Sequence, residues 1–361
     1  MLAALRGFTD RLLGRGNAAI TVPVMDGKLL PNRVLDQATA LAELPGIDDL
    51  VWHGDALWAS AGKALWRLDG DRFTEQRHFD AEITALAAST QGRLAVALGG
   101  RQVQVLDVGG AVQARLDTLA GQPLCSVNAM AWEGEDALLL TDGSSQHAPA
   151  QWCHDLMALG RSGRAARWRP ASPTADLLAD GLAYAYGVLP LAGAVLLAES
   201  WRHRVQVAGG APLLAELPGY PSRMAPAADG GFWLSCFVCR TQLVEFVLRE
   251  PAYRQRMVAE IDPRYWIAPA LSSGHSFLEP LQGAGVKQMG VMKPWAPPRS
   301  YGLVLQVGAS GQILRSLHSQ VDGRHHGITA LAERDGRLYA ASKGSGRLLR
   351  VDLQAHQGEA A

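Results

Sequence analysis

His325 and His326 stand side by side, and an imidazole that titrates near neutrality can serve as a general base. Arg223 offers a planar, permanently charged guanidinium, suited to a carboxylate or a developing oxyanion. Glu199 and His203 bracket the turn Ser200-Trp-Arg202, where hydrogen bonding within a solvated turn is their plain role. Asp142 and His147 share the segment Thr141-Asp-Gly-Ser-Ser-Gln-His147, a loop able to reach a nearby site. Cys236 and Cys239 form a C-x-x-C, but no second pair follows at zinc-ribbon spacing. On a strand these two thiols would point to opposite faces, which is wrong for a shared metal. Together with Cys125 and Cys153 they read as structural thiols, too few for a disulfide framework. There is no Gly-x-Ser-x-Gly elbow, no His-Glu-x-x-His and no phosphate-cradling glycine loop. Serine-hydrolase, zinc-protease and nucleotide-binding readings therefore lack support.

The elements that must position these groups show as an internal repeat. Its clearest copy closes the chain: Gly327-Ile-Thr-Ala-Leu-Ala, Asp335-Gly336, Arg337-Leu-Tyr-Ala-Ala-Ser342, then Gly346 to Leu353. It reads strand, turn, strand, turn, strand, and Asp-Gly between alternating runs is a strong hairpin signal. Related copies start at Ile47, Ile83, Val127, Tyr186 and Arg223. Six units of roughly 40 residues predict an all-β, six-bladed β-propeller. A two-sheet sandwich is the competing all-β architecture, but it leaves the repeat unexplained. The last unit shows only three strands, so its fourth is expected from Leu35–Leu44, closing the ring. Residues 1–34 read as an N-terminal helix and lead-in, 35–353 as the propeller and 354–361 as a tail. More than sixty residues interrupt unit five. This partly helical insertion, 236–300, is a candidate lid or an outer flank. Within it, Leu243 to Ile261 has helical spacing, and Pro251 starts or breaks a helix.

Composition narrows the partners. Of 361 residues, Lys+Arg number 34 and Asp+Glu 34, so the formal net charge is zero. A nucleic-acid or anionic-membrane surface would show a basic excess, so neither is expected. The 39 glycines fit many tight turns. No apolar run reaches the ~18 residues of a membrane-spanning helix. The N-terminal stretch sets Leu2, Leu5 and Phe8 on one helical face but has no unbroken apolar core. It reads as a docking helix and not as a secretory signal, so a cytoplasmic protein is expected.

Five segments carry a family resemblance. Leu217-Pro-Gly-Tyr-Pro221, Asp229-Gly-Gly-Phe-Trp233, Ser300-Tyr-Gly-Leu-Val304 and Asp335-Gly-Arg-Leu-Tyr339 resemble, in that order, the strictosidine synthase-like proteins. Ala198-Glu-Ser-Trp-Arg-His-Arg204 is similar to their blade-four segment. The resemblance covers roughly 45–353 and is strongest over 180–353. It groups the chain with paraoxonase-like lactonases and gluconolactonases among six-bladed propellers. It implies a small-molecule site at one mouth of the central channel. In metal-dependent relatives it implies a Ca²⁺ there, on oxygens at the starts of the innermost strands. Asp48 and Asp49 match the blade-one acids, and Asn128 the blade-three asparagine. Tyr186 replaces the blade-four asparagine, and Ser222-Arg223 the blade-five Asp-Asn pair. A guanidinium there would repel calcium, so the ligand set Asp48, Asp49, Asn128 reads as degenerate; no cofactor is expected, with calcium kept as the alternative.

The resemblance thus implies a channel lined by Asp48, Thr84, Asn128, Tyr186, Arg223 and His326. His326, Arg223 and Asp48 are the expected catalytic groups. Asn128, Tyr186, Thr84, Asp142 and, from the insertion, Trp295 are the expected substrate contacts. In lactone or ester hydrolysis, Arg223 would polarise the carbonyl while His326 or Asp48 activates water. Arg223 could instead pair with Asp48 or Asp49 in place of the metal. The alternatives are a metal-free condensing or lyase-type enzyme and a non-catalytic ligand- or protein-binding propeller.

Overall fold

The computed structural model describes residues 22–273, 287–288, 291–292 and 299–354. Six four-stranded antiparallel sheets follow one another as blades of a propeller. Their innermost strands are Ile47–His53, Ile83–Ala88, Val127–Glu133, Ala185–Leu191, Gly219–Pro226 and Ile328–Arg334. The ring closes as the repeat requires. Strand Thr39–Glu43 pairs antiparallel with Arg347–Asp352, setting Ala42 opposite Leu348, so the first strand completes the last blade. Leu35 is not in that strand. It lies in the short helix Val34–Gln37 and packs with Trp233 and Leu349 between blades five and six.

Each blade is hydrophobic on both faces because both faces meet a neighbour. The apolar residues gather into six clusters, one at each blade interface. Leu57 and Ala59 of blade one, for example, meet Ala330 and Leu348 of blade six. Turn chemistry follows the sequence signals. Asp335 and Gly336 both take positive φ, 51° and 69°, as the two-residue turn linking strands of right-handed twist demands.

A seventh cluster lies at the end of the channel where the innermost strands begin. It joins the helix Trp152–Ala158, between two strands of blade three, to the helices Gln242–Arg249 and Pro251–Glu260. The latter two belong to the blade-five interruption, which begins later than expected. Strand Phe232–Cys239 keeps pairing with Gly219–Pro221 through Cys239, so 236–239 belong to the sheet. The first helix is capped by Thr241, whose Oγ1 accepts the Val244 N–H, and Pro251 is the first residue of the second. Glu245 ties the first helix down by accepting from the Tyr220 hydroxyl at 3.0 Å and from Arg240 at 3.1 Å. Trp295, expected as a substrate contact, lies outside the described residues. No helix among the described residues is long and apolar enough to cross a membrane.

His203 sits under this cover, against the Tyr220 ring and 3.6 Å from Glu245. Burial, reinforced by Arg240, pushes its pKa down to about 4 from 6.5. The unfolded chain therefore binds more protons than the folded one between these values, so stability is complete above pH 6.5 and falls as pH drops toward 4. His318, also lowered to about 4, and Asp49, raised to about 6, titrate in the same window, so the share of His203 is read as the difference between the native chain and His203→Gln. In denaturant titrations that difference should change by about 2 kcal/mol between pH 7 and the middle of the window; a difference that does not change with pH would show that this site is not a cause.

Candidate functional site

The innermost strands all begin at the same end of the channel, and the repeat puts one position there. It is the second residue of five of them: Asp48, Thr84, Asn128, Tyr186 and Thr329. Thr84 Oγ1 donates to the Val127 carbonyl and Thr329 Oγ1 to the Asp48 carbonyl, both at 2.6 Å, linking adjacent strand starts. The sixth contribution is Arg223, in the fifth position of its strand. Ser235 Oγ donates to the Arg223 carbonyl at 2.9 Å and holds the backbone there.

Arg223 is buried on the channel axis with every N–H spent. Nε donates to the Asn128 carbonyl at 2.9 Å. Nη1 donates to the carbonyls of Asp48, at 2.8 Å, and Thr329, at 3.3 Å. Nη2 donates to Asp48 Oδ2 and the Thr84 carbonyl, each at 2.7 Å. Nε also lies 3.2 Å from Asp49 Oδ2, and the guanidinium carbon is 5.3 Å from the Tyr186 ring centre. With its own blade counted, one side chain engages all six.

Each charge in this layer depends on its neighbours. Burial opposes ionisation of Asp48, but Lys343 and Arg223 outweigh it and hold the carboxyl down to about 2. Burial wins at Asp49, which is pushed up to about 6 although it accepts the N–H groups of Leu86 and Leu50. Asp48 raises the pKa of Lys343 against its burial, so the ammonium stays charged. Burial raises the Tyr186 phenol and keeps it neutral.

This geometry corrects three sequence expectations. Arg223 has no donor left for a substrate carbonyl, so it is the channel's internal cation and not a catalytic electrophile. His326 does not reach the channel. Its Nδ1 is 2.6 Å from Ser300 Oγ and its Nε2 is 2.7 Å from the Gln320 carbonyl, so both ring nitrogens are engaged. Thr329, not the histidine two residues before the strand, takes the inward position. Asp142 is fully buried in a closed cluster, with Oδ1 taking the Ser126 N–H at 2.6 Å and Oδ2 the Arg164 guanidinium. No carboxylate oxygen remains for a ligand.

The oxygens that Arg223 holds are those that a calcium ion in the channel would need. Calcium takes about six to eight oxygen ligands. Here one cation already holds Asp48 Oδ2 and four carbonyls, and Lys343 holds Asp48 Oδ1. Asn128 Oδ1 accepts from Thr141 Oγ1 at 2.8 Å. The donor set does not suit calcium, and no cluster of three or more His, Cys, Asp or Glu occurs among the described residues.

Above the guanidinium lies a mouth cavity of about 390 Å³. Asp48, Thr84, Asn128, Tyr186, Thr329 and Lys343 line it, as do the rings of Trp152, Tyr184 and Phe237, with Glu82 exposed beside them. Four of the expected channel residues are thus brought together. Lys343 was missed. It follows strand Arg337–Ser342 in a Ser-Lys-Gly turn, and in sequence such a lysine reads as a solvated loop residue. Glu199 and His147 are engaged elsewhere. Glu199 takes the Ala183 N–H and Arg204, and His147 Nδ1 is 3.2 Å from Asp155. Cys236 and Cys239 share one apolar cluster, because the irregular pairing near Tyr220 breaks simple alternation. Burial pushes both thiols up, Cys239 to about 12, which suits inert packing.

Arg223→Met should cost about 3–5 kcal/mol in unfolding titrations, because it strands two buried aspartates. The melting temperature of the native chain should not respond to calcium or to a chelator. A chelator-sensitive native protein would refute the internal-cation assignment.

No family model matches the sequence. The adipocyte plasma membrane-associated protein of Mus musculus is 26% identical over 368 residues, 92% of this chain and 82% of that protein. The protein of that name from Homo sapiens is 29% identical over 228 residues, 60% of this chain. That match spans about half, 49%, of the human protein's own length. STRICTOSIDINE SYNTHASE-LIKE 10 of Arabidopsis thaliana is 23% identical over 244 residues, 65% of this chain and 59% of that protein. Among solved structures, a gluconolactonase from Xanthomonas campestris superposes with a TM-score of 0.55 at 15% identity, over 92% of this chain and 95% of its own. That likeness shows the propeller fold. The chain has homologues among the adipocyte plasma membrane-associated and strictosidine synthase-like proteins.

Proposed function

We propose that the mouth cavity binds a small carbonyl compound of the lactone or ester class, with its body against Trp152, Tyr184 and Phe237 and its carbonyl oxygen on Lys343. One observation carries this reading: a charged ammonium at the edge of an aromatic-walled cavity, with one carboxylate oxygen of Asp48 as its ion-pair partner. An ammonium there stabilises negative charge that develops on the carbonyl oxygen. Hydrolysis also needs a base. Asp48, at about 2, is too weak a base for the task. Glu82, exposed beside the cavity, is the remaining carboxylate. In this reading Glu82 takes a proton from water as the hydroxyl adds to the carbonyl carbon. It then returns the proton to the leaving oxygen as the C–O bond breaks.

Binding without turnover is the second reading. It is favoured by the spent donors of Arg223 and the low basicity of Asp48, which leave the base outside the buried layer.

A panel of lactones and aryl esters separates the two. Lys343→Met should weaken binding or kcat/KM about 10- to 100-fold, the worth of a hydrogen bond to a charged group. Glu82→Gln should abolish turnover and spare binding if hydrolysis is the activity. A panel with neither binding nor turnover would refute both readings.

A further inference from the structure

The Arg223 layer divides the channel in two. On its far side, where the innermost strands end, is a cavity of about 540 Å³, larger than the mouth cavity and within the usual range of small-molecule sites. All six blades line it. Its floor is the Asp49–Arg223 pair. Asp49 Oδ1 accepts the Leu50 N–H at 2.9 Å, and Oδ2 the Leu86 N–H at 2.7 Å and the nearby guanidinium. The guanidinium has no N–H left. The floor therefore neutralises its own charge and has nothing to offer a charged ligand.

The walls are apolar and kept apart by small side chains. Ala87, Ala131, Ala225 and Ala332 stand on four different strands, with Met130 and Leu331 beside their neighbours. Ala87, Ala225 and Ala332 belong at the same time to blade-interface clusters, and Ala131 packs against another, so small side chains there both seat the blades and leave the space open. At the rim, the rings of Trp52 and Trp132 carry the guanidinium groups of Arg334 and Arg93 at 4.6 and 4.4 Å. Arg93 in turn pairs with Glu135 at 3.1 Å. Glu333, also at the rim, accepts from Trp233 Nε1 at 2.6 Å and from the Ala228 N–H through Oε2, so each of these rim charges has a partner.

The geometry points to a second ligand site in this chamber, separate from the mouth, for one uncharged and largely apolar small molecule. The apolar enclosure supplies the binding energy, and the self-satisfied floor disfavours an ionised head group, which would lose water without gaining a partner.

The test uses N-phenyl-1-naphthylamine, an uncharged fluorophore that brightens in apolar surroundings, on the full chain. Saturable binding of one probe per chain is expected. 1-Dodecanol should displace it, and dodecanoate should do so at least tenfold less well. Ala131→Phe and Ala332→Phe, each checked by melting temperature, should weaken binding at least tenfold, whereas Lys343→Met at the mouth should leave it unchanged. Absent or non-saturable binding, or equal competition by dodecanoate, would overturn the proposal on the native chain alone. So would loss of binding in Lys343→Met with retention in a folded phenylalanine variant. None of these outcomes depends on turnover at the mouth.

Discussion

A guanidinium taken from water to the axis of a propeller must recover its lost hydration from fixed oxygens, or the fold is destabilised by several kcal/mol. Arg223 recovers it from carbonyls of blades two, three and six and from both the backbone and side chain of Asp48 in blade one. Those carbonyls are available only because the innermost strands begin together, leaving their first backbone groups aimed at the axis. The ring of blades and the central charge are therefore mutually dependent. The strands converge on a point that would otherwise be crowded with unpaired acceptors, and one planar five-donor group satisfies them. The same demand splits the charge of the aspartate pair. Asp48 has two cations and stays ionised, whereas Asp49 shares one and is pushed toward neutrality by burial.

Outside this layer the structure is held by ordinary apolar packing, divided into six near-equivalent interfaces. The helices Gln242–Arg249 and Pro251–Glu260 rest on Tyr184, Tyr220 and Phe237, which stand at strand ends and not between blades. The cover and the cavity walls are thus built from the same aromatic groups, and the blade interfaces do not rely on them.

Much of the fold was legible in the sequence because repeats encode it locally. Asp335-Gly336 marked a hairpin, and the missing fourth strand of the last unit pointed to Leu35–Leu44, within which the strand Thr39–Glu43 lies. The channel positions were partly legible for the same reason. Ile47-Asp48, Ile83-Thr84 and Val127-Asn128 share a pattern, and Ile328-Thr329 repeats it, which was signal enough to prefer Thr329 over His326. Lys343 had no such signal, since the inward course of a loop after a second strand is set by tertiary packing. Asp142 looked available because its partner, Arg164, lies on the next strand across a connection of some twenty residues. The resemblance located the axis, and the departure at Arg223 already raised a pairing with Asp48 or Asp49 in place of a metal, which is the arrangement found.

The closing pair of strands has a consequence for synthesis. Thr39–Glu43 is made before the innermost strands of all six blades, and its partner Arg347–Asp352 after them. Throughout translation of the intervening blades, this early strand has no partner and the growing ring has an open edge. Unpaired edges of this kind recruit strands from other chains. The nascent chain therefore depends on timing as much as on stability. Its vulnerability to misassembly ends only when the ribosome delivers the closing strand, Arg347–Asp352.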